Sequence, residues 1–156
     1  MFRLLAFVSA LLLPLAAHAM GSGGSSPAPV NIVNPDYVQA EKLIKEWKYA
    51  EAIPLLDKLV KAEPKNADAH NQLGYANRKL NKLPEARLHY GKALEIEPEH
   101  KGALEYQGEL YLMLDDLKSA ETNLGKLDKI CFFGCAEYTD LKKAIAEYKQ
   151  RKGITS

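Results

Sequence analysis

One spacing constrains this chain more than anything else in it. Ala40, Gly74 and Gly108 stand 34 residues apart, as do Ala52, Ala86 and Ala120, and Lys58, Lys92 and Lys126. Pro64 and Pro98 keep the same separation. The fullest copy is Ala67–His100, ADAHNQLGYANRKLNKLPEARLHYGKALEIEPEH. A unit this short cannot bury its own apolar face, so it must stack on its neighbours and share a core with them. Within the first unit, Tyr37, Ala40, Leu43 and Ile44, then Ala52, Leu55, Leu56, Leu59 and Val60, recur at steps of three and four. Such steps put apolar residues on one stripe of a helix, so each unit reads as two amphipathic helices. Gly74 and Ala86 permit a close helix crossing, because larger side chains would push the axes past about 8–10 Å, and Leu73, Leu80, Leu83, Tyr90, Ala93 and Leu94 are expected to fill the gap between the helices. Pro64 and Pro98 end the second helices. Pro54 and Pro84 are expected in the first turns of those helices, where a missing N–H costs little.

With Leu73-Gly74 early, Ala86 in the middle, Tyr90 and Ala93 after it and Pro98 near the end, the repeat resembles the tetratricopeptide family. The resemblance implies an all-α fold, a right-handed α-solenoid of three helix–turn–helix repeats at about 33–66, 67–100 and 101–134. After them, Tyr138, Leu141, Ile145 and Tyr148 form one more apolar stripe, with Lys142, Lys143, Glu147 and Lys149 facing water. A solenoid needs a terminal element that covers its last core face. The helix at about 136–149 fits that need as a C-terminal capping helix, in a domain spanning 35–150 with a disordered tail at 151–156.

The segment before the repeats has a different character. Arg3 is followed by the apolar run Leu4–Leu15 and by Ala17-His18-Ala19. That order is expected of a secretory signal peptide over residues 1–19, and the run is too short for a membrane span, which needs about 20 apolar residues. Residues 20–34, rich in Gly, Ser and Pro, are expected to be a flexible linker. A bacterial periplasm is the expected location, with no membrane span in the mature form. Charge is balanced, 21 basic residues against 20 acidic. A nucleic-acid partner would call for a clustered basic excess, so none is expected.

Cys131 and Cys135 are the only cysteines, in the turn Cys131-Phe-Phe-Gly-Cys135. In a secreted chain a disulfide is the expected state, fixing the angle at which the cap helix departs. The alternatives are a redox-active pair, a free thiol or a metal site. Zinc would need four ligands, and His70, His89 and His100 sit in separate repeat positions. This thiol-active or metal-handling envelope protein is the rival to the main functional reading.

No nucleophile elbow, phosphate loop, dinucleotide fingerprint or zinc-protease motif occurs, and no enzyme activity or cofactor is expected. Glu105 and Glu109 share a helix face, but no second group marks them as an acid–base pair. The resemblance implies that first helices line a groove for an extended peptide or a partner helix. The groove set is Tyr37, Glu41, Asn71, Tyr75, Arg78, Lys79, Glu105, Glu109 and Leu112. Heat-shock co-chaperones of this family grip a C-terminal carboxylate with Lys, Asn and Arg. The matching positions here are Tyr37, Glu41, Gln72, Gly102 and Tyr106, so that clamp is not carried over. A non-catalytic scaffold for a protein or peptide partner is the expectation. The first repeat has no cap before it, which also makes a homo-oligomer through that open edge an expectation.

Overall fold

A computed structural model describes residues 34–154. The expected signal peptide and nearly all of the expected linker lie outside the described residues. Seven helices follow in order: α1 (Pro35–Lys45), α2 (Tyr49–Ala62), α3 (Ala67–Lys79), α4 (Leu83–Ile96), α5 (Lys101–Met113), α6 (Leu117–Ile130) and α7 (Ala136–Lys152). Consecutive helices pack in pairs, and α3 also touches α1 and α5, so the first helices stand side by side. The described residues form an all-α solenoid.

Local chemistry repeats with the period. Asn66 and His100 cap α3 and α5, accepting the backbone N–H groups of Ala69 and Ala103. Trp47, Asn81 and Asp115, again 34 apart, are the three non-glycine residues with positive φ among the described residues, at 65°, 58° and 58°. Each reverses the chain between the two helices of a repeat. Asn and Asp tolerate the left-handed region, whereas a bulky residue there is strained.

The core is built from the small residues that define the period. Ala40, Ala52, Ala86 and Ala120 are fully buried. A Cβ on Gly74 would stand 2.5 Å from the Tyr90 ring, and one on Gly108 2.6 Å from the Leu141 methyls. The two glycines occupy the same repeat position but admit different neighbours. Gly74 lets α4 close on α3, while Gly108 lets the cap helix close on α5. α7 buries Leu141, Ile145 and Tyr148 against Leu104, Leu112 and Leu127. Its far end is latched to the α5–α6 turn, where Tyr148 Oη donates to Asp115 Oδ1 at 3.1 Å and Lys152 pairs with the same carboxylate at 2.7 Å.

Three local expectations need correction. Pro54 lies inside α2, which already starts at Tyr49, so it occupies the second turn and not the first. Leu80, expected between the helices, is 36% exposed because the chain leaves α3 there. The disordered tail expected at 151–156 does not start at 151, since α7 runs through Lys152 and stops at Gly153, whose φ of 66° makes it a left-handed C-cap.

Candidate functional site

The α1–α2 turn, the start of α2 and the first helices α3 and α5 gather aromatic residues into one cleft of about 290 Å³, lined by Ile44, Lys45, Trp47, Tyr49, Gln72, Tyr75, Lys79 and Tyr106. Helical pitch explains the grouping. Ile44 and Lys45 close α1, Gln72, Tyr75 and Lys79 lie on one face of α3, and Tyr106 is one turn into α5. The rings form a ladder, Tyr49 to Tyr75 at 6.0 Å and Tyr75 to Tyr106 at 4.9 Å between centroids. The Lys79 ammonium lies 5.3 Å from the Tyr75 centroid, within cation–π reach. Burial, then Glu105, Tyr75 and Glu109, push the Tyr106 phenol up to about 12, so it stays a neutral hydroxyl at ordinary pH. Trp47 stands 79% exposed at the rim.

The residues expected in the groove divide into three groups. Tyr75 and Lys79 line the cleft. Tyr37 and Glu41 are half-buried on α1, and burial, followed by Asp68 and Glu41, raises the Tyr37 phenol to about 12. Of the rest, Glu109 is half-buried and the others are buried. Arg78, expected to line the groove, is 8% exposed, and it pairs with Glu109 at 2.6 Å while Nε donates to Tyr90 Oη at 3.2 Å. Burial pulls against its charge, but Tyr90 and Glu109 hold its pKa above the ordinary value. Arg78 therefore ties α3, α4 and α5 together as a structural tie. Glu109 is committed to that pair and not to a ligand. Leu112 belongs to the core beneath α7. Asn71 and Glu105 are also buried, at 6% and 8% exposure. Burial, reinforced by Glu109, Asp140 and Glu137, lifts the Glu105 carboxyl to about 8.

Trp47 and Tyr49 were absent from the expected groove residues, whereas Tyr106 was expected to face the groove. Tyr106 was visible as a first-helix position, but Trp47 and Tyr49 were assigned only to a turn. They enter the cleft because the left-handed turn at Trp47 folds the start of α2 over the end of α1.

The histidines are not all apart. His70 and His89 meet at 3.2 Å between Nδ1 atoms, with stacked rings. Burial lowers the pKa of both, and His70 lowers that of His89 further. No group of three or more His, Cys, Asp or Glu among the described residues is placed to hold a metal ion. Cys131 and Cys135 bring their sulfurs into bonding contact, with Cα atoms 5.6 Å apart. Between them, Phe132 and Phe133 are 86% and 96% exposed.

Period, helix pairing and this placement of small residues define a tetratricopeptide repeat protein. The family model described as tetratricopeptide repeat matches residues 37–98 of the chain. It is 27% identical over 130 residues to the inactive TPR repeat-containing thioredoxin TTL3 of Arabidopsis thaliana. That match covers 79% of this chain but only 18% of the relative's length. The fold is similar to the TPR2B domain of yeast Sti1, solved in complex with an Hsp70 peptide (TM-score 0.66, 17% identity, covering 74% of this chain and 94% of that one). It is equally similar to the first TPR of Spaghetti (RPAP3) bound to the HSP90 peptide SRMEEVD (TM-score 0.66, 19% identity, 76% and 90% covered). The first TPR domain of human RPAP3, solved by NMR, gives a TM-score of 0.67 at 21% identity, with 78% and 94% covered.

Proposed function

We propose that this chain is a non-catalytic interaction scaffold that holds a peptide or helix of a protein partner in the cleft formed by α1, α3 and α5. One observation carries the reading: Trp47, Tyr49, Tyr75 and Tyr106 line one opening with Lys45 and Lys79 at its edge. Aromatic rings supply anchor area at low entropic cost, and polar groups set register. The similar folds of Sti1 and RPAP3 were solved with heat-shock protein peptides, which supports the same surface as a peptide seat. The peptide itself is expected to differ, because Tyr37, Glu41, Gln72, Gly102 and Tyr106 replace the basic clamp. A photo-crosslinking residue at Gln72 tests the reading against one at Leu88, which is 59% exposed on the second helix of its repeat. Partner adducts are expected from position 72 and not from 88. Equal adducts at both positions would remove the cleft from the account.

The leader supports export to a periplasm, with residues 1–19 removed. Fusing residues 1–34 to an alkaline phosphatase reporter checks it, since that enzyme is active only after export. In that compartment Cys131 and Cys135 form a disulfide, and their contact supports this. Alkylation without reductant is then expected to label neither. A thiol-active role has one observation in its favour: Cys135 is the N-cap of α7, its Sγ accepting the Tyr138 N–H at 3.4 Å. A helix N-terminus favours a thiolate. Under that reading, Cys131→Ser abolishes function while leaving fold and cleft binding intact.

A further inference from the structure

Beside the aromatic cleft lies a set of acceptors with nothing to accept from. Asn71 projects from α3 onto the first turn of α5, where its Nδ2 stands 3.2 Å from where a Cβ on Gly102 would be. Its Oδ1 is buried without a hydrogen-bond partner among the described residues. Glu105 is three residues beyond Gly102, on the same face of α5. It too is more than nine-tenths buried, and among the described residues it forms no ion pair and no hydrogen bond. Two more acids, Glu137 and Asp140 on the first turns of α7, bear on Glu105 from the helix packed against it. The one nearby cation, Arg78, is spent on Glu109 and Tyr90.

A buried acceptor left without a donor costs roughly 1–3 kcal/mol, and the Asn71 Oδ1 is one whose cost this interior does not explain. Glu137 and Asp140 alone would be ordinary acids complementing the start of a helix. Asn71 and Glu105 are not accounted for in that way. The set lacks positive charge and its Asn71 Oδ1 lacks a donor, and an ammonium or guanidinium group brings both. A metal ion is disfavoured by the absence of a ligating group of three among the described residues.

We infer that Asn71, Glu105 and the first turns of α7 form a recognition site for a cationic side chain, lysine or arginine, of the peptide seated in the cleft. The inference rests on the cleft reading, because Tyr106, next to Glu105 in sequence, stacks on Tyr75 and joins the two regions. Its polarity is opposite to that of a site that grips a carboxylate. Glu105 also makes it pH-dependent. Its carboxyl, at about 8, is protonated in the empty site at neutral pH and must lose that proton to pair with a cation. Glu109 on α5 and Glu137 and Asp140 on α7 face it with negative charge, and Arg78 on α3 opposes them. Affinity therefore rises between about pH 6.5 and 8.5.

The test pans a phage-displayed random dodecapeptide library on the full chain at pH 8.5, then remakes the enriched peptides synthetically. Peptides weakened by Tyr75→Ala are expected to share a lysine or arginine at a fixed position. Replacing it by norleucine or citrulline should weaken binding by about tenfold or more, as for one partner of a desolvated charge pair. Glu105→Gln, which keeps shape and removes the charge, should cause a similar loss, with little further loss when both changes are combined. Lysine and arginine as sources are told apart by which residue is enriched. Cleft-bound peptides with no fixed cation, or full affinity after citrulline or norleucine replacement, overturn the inference and leave the cleft reading standing. If no enriched peptide is weakened by Tyr75→Ala, the cleft reading fails and the inference with it.

Discussion

Trp47 carries a conformation that its repeat mates Asn81 and Asp115 suit better. A φ of 65° strains a bulky residue, and 79% exposure gives it little packing in return. Strain held at such a place points to use, here as a wall of the cleft. Trp47→Asn is expected to raise stability by about 0.5–1 kcal/mol in urea unfolding while weakening whatever the cleft binds. The His70–His89 contact gives a second prediction. Both pKa values are depressed by burial, so the folded chain binds fewer protons than the unfolded chain, whose histidines titrate near 6.5. Stability is fully present above about 6.5 and falls as pH drops below that value toward the lower folded pKa values. Urea midpoints measured from pH 7.5 to 5 should decline, and His89→Gln should flatten part of the decline. Glu105 has the opposite sign. Its raised pKa means stability is lost as pH rises through about 8, so Glu105→Gln should gain on the order of 1 kcal/mol relative to wild type at pH 9.

Among elements, the same position in two repeats does two jobs. Gly74 faces the rigid Tyr90 ring, whereas Gly108 faces the rotatable methyl end of Leu141, both side chains being fully buried. Gly74→Ala is expected to cost about 2–3 kcal/mol and Gly108→Ala about 1 kcal/mol, both read from urea unfolding. If Gly108→Ala costs more than Gly74→Ala, the packing account of the period is wrong. Arg78 is the other element-scale tie. Arg78→Ala leaves Glu109 and Tyr90 without their partner in a largely buried place and should cost about 3 kcal/mol, whereas Arg78→Met, which restores the volume, should cost less. Loss of stability, not of contact, would then explain weakened binding by an Arg78 variant.

For the whole molecule, α7 is what makes a short array a closed domain. It places Leu141, Ile145 and Tyr148 over α5 and α6 and ties itself to Asp115 and Glu121. Ending the chain at Ile130 would uncover Leu104, Leu112 and Leu127, and cooperative unfolding should be lost or weakened by several kcal/mol. The helix pairs, their turns and the cap were legible in the sequence because periodic small residues, apolar stripes and prolines act locally and recur at a fixed step. Tyr75 and Lys79 were legible as cleft residues for the same reason. What the sequence by itself determined is the architecture, since a 34-residue period leaves few ways to bury each unit's apolar face. Only the tertiary structure decided which first-helix residues stay open. Contacts between helices bury Arg78 against Glu109 and Tyr90, join His70 to His89, and leave the Asn71 Oδ1 without a donor. Each of those outcomes depends on side chains from different helices meeting in space, and their distances along the chain do not encode that.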